Sequence, residues 1–213
     1  MNYRVIDMGR DPRRAQYDYF RSLANPYAGV TVNVDITALL DWTKRTGSNF
    51  FLTVLYAVSR AANSVPELRR RIRGEQVVEY VWCPTSHTVA LADGSYCYCT
   101  LTADMSLADF LPYAKEAQEM AKKEPTLDDG EEAESLLFIS CVPWLSYTAL
   151  TQPVPSPADS NPRITWGKYF RQEGRTLLPL TLLVHHALAD GLHIARFYEA
   201  LDRELENIAE KQV

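Results

Sequence analysis

Near the C-terminal end, Leu183-Val184-His185-His186-Ala187-Leu188-Ala189-Asp190-Gly191 combines residue types suited to acid–base chemistry near neutral pH. An apolar, strand-like run ends in two adjacent histidines, and alternation along a strand points His185 and His186 to opposite faces. At most one of them can serve a given pocket. Asp190 follows His186 by four residues and precedes a helical pattern, where a carboxylate suits the positive end of a helix. The same spacing also fits a core histidine followed by a capping aspartate. A metal site built from His185, His186 and His193 lacks further Cys or His ligands at zinc spacing, so no metal is expected.

The elements that position this segment are legible from period and punctuation. Asp11-Pro12 reads as the N-cap and first position of a helix running towards Asn25-Pro26. Gly29–Asp35 alternates as a strand, and Thr37–Lys44 reads as a short helix ended around Gly47. Ser48 is expected to cap a buried helix carrying Phe51, Leu55 and Val58. Strand-like runs follow at Val77–Trp82, Thr88–Ala92 and Tyr96–Thr102, the last two joined by an Asp93-Gly94 hairpin turn. A long amphipathic helix begins at Ser106 and continues through Lys123. The run Leu127–Glu134 reads as a solvated acidic loop, and Arg69-Arg70-Arg71-Ile72-Arg73 as a solvated basic face at the end of a helix or turn. Leu136–Cys141 is a strand, Ser156–Pro162 an irregular loop, and Ile164–Phe170 with Leu177–Val184 a hairpin about Glu173-Gly174. Leu192–Ile208 is the closing helix. This pattern predicts an α+β fold, with a two-layer mixed β-sheet flanked by helices, as a single domain over 1–213.

Composition bounds the function. The 213 residues include 22 Lys and Arg against 27 Asp and Glu, a formal charge of −5, and 46% are apolar. Folding a chain of this length hides roughly 70% of the unfolded surface, enough for one substantial core. Wholesale disorder is excluded, and the acidic balance argues against nucleic acid as a partner. No run approaches the ~18 apolar residues of a membrane span, and no signal peptide is visible, so a cytoplasmic location is expected. Cys83, Cys97, Cys99 and Cys141 lack metal or disulfide spacing and read as reduced core thiols.

His-His-x-x-x-Asp-Gly followed by a helix resembles the signature shared by chloramphenicol acetyltransferases, dihydrolipoyl acyltransferase cores and condensation domains. Length and flanking residues are similar to the first of these. Met1-Asn2-Tyr3 with Ile6-Asp7, Arg13-Arg14, Tyr19-Phe20, Val34-Asp35-Ile36-Thr37 and Glu67-Leu68-Arg69 fall in the family's order. Ile139-Ser140-Cys141-Val142-Pro143-Trp144, Gln172-Glu173-Gly174 and His193-Ile194-Ala195-Arg196-Phe197 complete the resemblance.

The resemblance implies that His186 is the general base, taking the proton of an acceptor hydroxyl that attacks the thioester of acetyl-CoA. It implies a structural Asp190 paired with Arg13, an oxyanion-stabilising Ser140, and a Thr165 that holds a water. Tyr19, Phe20 and Tyr98 fall in the acceptor-binding regions, and Lys168 and Tyr169 near the CoA nucleotide. Family members are trimers, with the base facing a pocket built largely by the neighbouring subunit. The implied acceptor is chloramphenicol, and the implied role antibiotic inactivation. Tyr98 stands where the family tends to carry a small residue, and Leu183 replaces a common polar one. These departures keep two other readings in view: acyl transfer to a different small hydroxylated molecule, and a catalytically silent trimeric binding protein. Covalent chemistry at Cys141 is disfavoured, because that side chain should face away from Ser140.

Overall fold

The computed structural model describes residues 2–210, so Met1 of the N-terminal motif lies outside the described residues. In chain order the elements are β1 (Tyr3–Ile6), α1 (Arg14–Arg21), β2 (Tyr27–Asp35), α2 (Thr37–Thr46), α3 (Phe50–Ser64), β3 (Arg70–Arg73) and β4 (Gln76–Tyr80). They continue with β5 (Thr85–Ala90), β6 (Tyr96–Leu101), α4 (Leu107–Lys123), β7 (Leu137–Val142), β8 (Arg163–Gly167), β9 (Phe170–Gln172), β10 (Arg175–His185) and α5 (Gly191–Ala209). A seven-stranded sheet has the order β2-β10-β8-β7-β5-β6, with β9 hanging on β10, and a three-stranded sheet has the order β1-β4-β3. The large sheet is mixed: β7 runs parallel to β5 and β8, while β10 is antiparallel to β2 and β8. The expected α+β architecture is present.

Alternation divides the large sheet into two unlike faces. Leu178, Leu180, Leu182 and Val184 of β10 join Ile139, Ile164 and Trp166 in the main core, packed with Leu55, Ala57, Val58 and Ala61 of α3 and Phe197 and Leu201 of α5. The opposite face presents the register row Ser140, Thr165, Thr181 and Thr31. An apolar face driven onto helices thus leaves a polar row on the other side. The α3 helix is apolar almost all round and is accordingly buried along most of its length. Among the described residues no helix is long and apolar enough to cross a membrane.

Several local expectations change. The first helix starts at Arg14 rather than beside Pro12, because the Asp11 carboxylate closes a local turn on the Arg13 N–H at 2.8 Å and pairs with Arg70 at 3.2 Å. Asn49, not Ser48, caps α3, accepting the Leu52 N–H at 3.0 Å, while the Ser48 hydroxyl is held by Thr46. Arg69–Arg73 is no solvated face. It contributes the edge strand β3, in which Arg70 bridges Asp11 and Glu79. Arg71 is fully buried, donating to the carbonyls of Leu68, Arg70, Glu134 and Leu136. Its charge is met by dipoles instead of water. The acidic run is also partly folded in. Gly130–Ser135 forms 3-10 turns, and half-buried Asp129 accepts the Ser86 hydroxyl at 2.5 Å.

Candidate active site

The β10 strand ends at His185, and the chain turns through Ala187 and Leu188 before Asp190 caps α5. His186 sits in that turn, its backbone N–H donating to the Pro26 carbonyl at 2.7 Å. Its Nδ1 lies 3.1 Å from the Ala189 carbonyl, which can only accept, so the neutral ring carries its hydrogen on Nδ1. That leaves the Nε2 lone pair to receive a proton. The ring stacks on Phe20, with centroids 3.8 Å apart and an 18° interplanar angle, which fixes its plane. Phe20 therefore orients the His186 ring, a role its sequence position did not suggest. Tyr19 packs edge-on to Phe20 and is otherwise exposed.

Arg13 ties the turn together. One guanidinium nitrogen pairs with Asp190 Oδ2, and the other donates to the His186 carbonyl at 3.2 Å. Asp190 Oδ1 accepts the Leu192 N–H at 3.1 Å, and the Asp190 N–H donates to His193 Nδ1 at 3.1 Å, forming a capping box. Burial would raise the Asp190 carboxyl, but the Arg13 hydrogen bond and charge outweigh it and hold the group below its ordinary range. The aspartate cap and the ion-pair partner are thus one residue. Beneath the turn, Ala187 and Leu188 pack with Tyr17, Val77 and Phe20 in a small core separate from the main one.

His185 points the other way and is buried against Tyr27, its Nδ1 accepting the Ala187 N–H at 3.3 Å. Burial lowers its pKa to about 4. His87 of β5, also lowered to about 4 by burial, faces Gln118 at 2.9 Å. Both are held neutral in the folded chain, whereas the unfolded chain protonates them near pH 6.5. Their contribution to stability is whole above about pH 6.5 and is lost as pH falls towards 4. Acidification from pH 6.5 to 5 should cost about 3 kcal/mol through these two groups. Denaturant midpoints across that range check this, and His87→Gln with His185→Gln should flatten the slope.

The polar face of the large sheet opens into a cleft of about 320 Å³ lined by Ser86, Thr88, Tyr98, Asp129, Ser140 and Arg163, among others. Ser140 pairs in register with Thr165, and Thr165 with Thr181. Thr165 is buried. Its hydroxyl takes a hydrogen bond from Gln152 Nε2, and its carbonyl accepts the Tyr147 hydroxyl at 2.7 Å. A Cβ on Gly167 would meet the Leu145 carbonyl at 2.6 Å, so only glycine lets this loop lie against β8. Cys141 turns towards the core, where burial pushes its thiol up to about 11, unsuited to nucleophilic work. Lys168 and Tyr169 lie on the surface just beyond β8, the Lys168 N–H bonding the Leu145 carbonyl and Tyr169 packing edge-on to Phe50.

Within the chain these residues fall into two halves, one around His186 and one around Ser140 and Thr165. His185, the last residue of β10, lies four residues beyond Thr181, the register partner of Thr165, about 13 Å along the strand, and His186 sits in the turn past it. Tyr19 and Phe20 belong to the His186 half and Tyr98 to the Ser140 half. Asp129, Gln152 and Tyr147 line or support the second half and were not anticipated. Nothing in the local sequence of Gln152 or Tyr147, in an irregular Pro-rich stretch, marks it as packing on a strand.

The chloramphenicol acetyltransferase family model matches residues 1–202. Chloramphenicol acetyltransferase 2 of Escherichia coli is 29% identical over 214 residues, covering 98% of this chain and 99% of that protein. Chloramphenicol acetyltransferase 3 of Escherichia coli is also 29% identical, over 94% of this chain and 96% of its own length. A solved chloramphenicol acetyltransferase superposes with a TM-score of 0.83 at 26% identity, over 96% of this chain and 100% of that one. The cubic core of a pyruvate dehydrogenase multienzyme complex shares the fold, with a TM-score of 0.67 at 22% identity over 92% and 87% of the two chains. With the family model matched from the first strand into α5, the chain belongs to the chloramphenicol acetyltransferase family.

Proposed function

We propose that this protein transfers the acetyl group of acetyl-CoA to a hydroxyl of chloramphenicol. His186 of one subunit serves the Ser140–Thr165 cleft of a neighbour within a homotrimer. The observation that carries the reading is the His186 ring, with Nδ1 committed to the Ala189 carbonyl, its plane clamped by Phe20, and Nε2 left to act. The separation of the two halves along β10 supports catalysis between subunits.

The step follows from these groups. Nε2 of His186 takes the acceptor hydroxyl proton as the oxygen bonds to the thioester carbonyl carbon, placing negative charge on the carbonyl oxygen. The Ser140 hydroxyl donates to that oxyanion, and a water held by Thr165 adds a second donor. Collapse re-forms the carbonyl and breaks the carbon–sulfur bond, and the imidazolium proton passes to the departing CoA thiolate. The ester and free CoA thiol are the products. Lys168 and Tyr169, at the exposed end of β8, would meet the nucleotide portion of CoA.

The test is release of CoA thiol from acetyl-CoA with and without chloramphenicol. Acceptor-dependent release is expected. Its absence with chloramphenicol and with every other alcohol tried would leave a binding protein. Ser140→Ala should lower kcat by about 10²–10³ with little change in KM for acetyl-CoA, as expected for loss of one oxyanion donor. A KM effect alone would reassign Ser140 to substrate binding.

A further inference from the structure

The peptide group between Ala189 and Asp190 is held at both ends by histidines. Its carbonyl accepts the His186 Nδ1 hydrogen at 3.1 Å, and its N–H donates to His193 Nδ1 at 3.1 Å. Because a peptide is planar, fixing the direction of the N–H also fixes that of the C=O. A backbone N–H can only donate, so the His193 nitrogen it meets carries a lone pair, and the neutral ring has its hydrogen on Nε2. That edge of the ring faces Glu67 Oε1 at 3.7 Å, on the 3-10 turn Pro66–Arg69 that follows α3. His193 is buried in the first turn of α5, which keeps water from taking its place as acceptor.

The charges around this ring are already matched. Asp190 Oδ1 lies 2.8 Å from the same Nδ1, but that carboxylate is paired with Arg13. Glu67 lies 4.0 Å from Arg70, which also holds Asp11 and Glu79. Neither carboxylate therefore depends on an imidazolium, and the neutral ring is left to accept.

We propose that His193 is a positioning residue for the general base, acting through the Ala189–Asp190 peptide. By accepting the N–H it aims the Ala189 carbonyl at His186 and strengthens that carbonyl as an acceptor. The His186 hydrogen then stays on Nδ1, and the Nε2 lone pair stays free for the acceptor hydroxyl. Glu67 steadies the far edge of the His193 ring, so the base is aligned from a turn remote in sequence. The proposal rests on the acetyl-transfer reading above and adds a residue to its machinery. His193 itself takes no proton from substrate.

His193→Leu removes the acceptor, whereas His193→Asn keeps one, its amide oxygen standing close to where Nδ1 does. Both lose the ring, so both should lower the melting temperature. In His193→Leu kcat should fall roughly 10–100-fold, the cost of a misaligned reacting group, with KM for acetyl-CoA and chloramphenicol little changed. His193→Asn should recover most of that loss. Long-range 1H–15N spectra of histidine-labelled protein, recorded above neutral pH without substrates, read the tautomers directly. The His186 signals, identified by their absence in His186→Ala, should show the Nδ1–H form in the wild type and in His193→Asn. In His193→Leu they should show a mixture. The wild-type His193 signals should show Nε2–H, a result that decides the matter even where a variant does not fold. A wild-type His193 protonated on Nδ1, a His186 tautomer or kcat unmoved by His193→Leu, or two variants equally impaired would overturn the proposal. Thiol release is read in parallel. Its absence in the wild type would remove the acetyl-transfer reading, while the spectra still decide whether His193 sets the His186 tautomer.

Discussion

His186→Ala is expected to lower kcat for acetyl transfer by about 10²–10⁴, the range a positioned general base contributes. The substitution removes Nε2, the ring nitrogen that remains for proton transfer once Nδ1 is spent on the Ala189 carbonyl. KM for acetyl-CoA should change little, because the ring lies on the α1 side of the site, away from Lys168 and Tyr169. The melting temperature should fall only modestly, since the ring's stacking partner Phe20 keeps its contacts with the small core. His185→Ala should behave in the opposite way. That ring is buried and makes its hydrogen bond inside the fold, so stability drops first. Steady-state kinetics and thermal melts on the two variants separate these outcomes. A His186→Ala protein with undiminished kcat would overturn the assignment of the base.

The second large effect is expected at Asp190. Its pair with Arg13 is mostly enclosed, the side chains being 33% and 12% exposed, so loss of one partner should cost somewhat less than the ~3–5 kcal/mol of a fully buried pair. Asp190→Ala also deletes the cap on α5, worth about 1 kcal/mol more. Asp190→Asn keeps a capping oxygen and loses only the charge, so it should fall between the wild type and Asp190→Ala in denaturant midpoint. Arg13 also holds the His186 carbonyl, so both variants should lower kcat by loosening the ring. An activity loss with unchanged stability would mean that Asp190 acts on the chemistry directly. The pair contributes below neutral pH as well. The Asp190 carboxyl is held below its ordinary value, so this stability is complete above the unfolded carboxylate's pKa and is lost only as pH falls through the lower, folded one.

Most of the frame was legible because its signals are local. The α3 helix is apolar all round, the Asp93-Gly94 turn joins β5 to β6, and α5 begins at a capping aspartate. The motif residues His186, Ser140 and Thr165 stood out by resemblance; Ser140 and Thr165 are placed by the alternation of β7 and β8, and His186 by the turn that follows β10. Other features depend on partners remote in sequence. A run of arginines carries no local sign that Arg71 will be enclosed by carbonyls from residues 134 and 136. The acidic segment looks solvated until β5 brings the Ser86 hydroxyl to Asp129. Asp11 has every mark of a helix cap, but Arg70 competes for its carboxylate. In each case a charged group found a distant partner that period and composition do not record.

The pairing of β2 with β10 runs over nine residues, from Asp35 opposite Leu177 to Tyr27 opposite His185. Because side chains alternate, a slip of one residue in that ladder would turn His185 and every other β10 side chain to the opposite face of the sheet. Gly29 opposes such a slip, since a Cβ there would lie 2.9 Å from the Leu183 side chain, and strand β2 must keep its one bare position at that point. The alignment of β2 with β10 thus sets the point at which the chain leaves the sheet and enters the turn that holds the His186 ring.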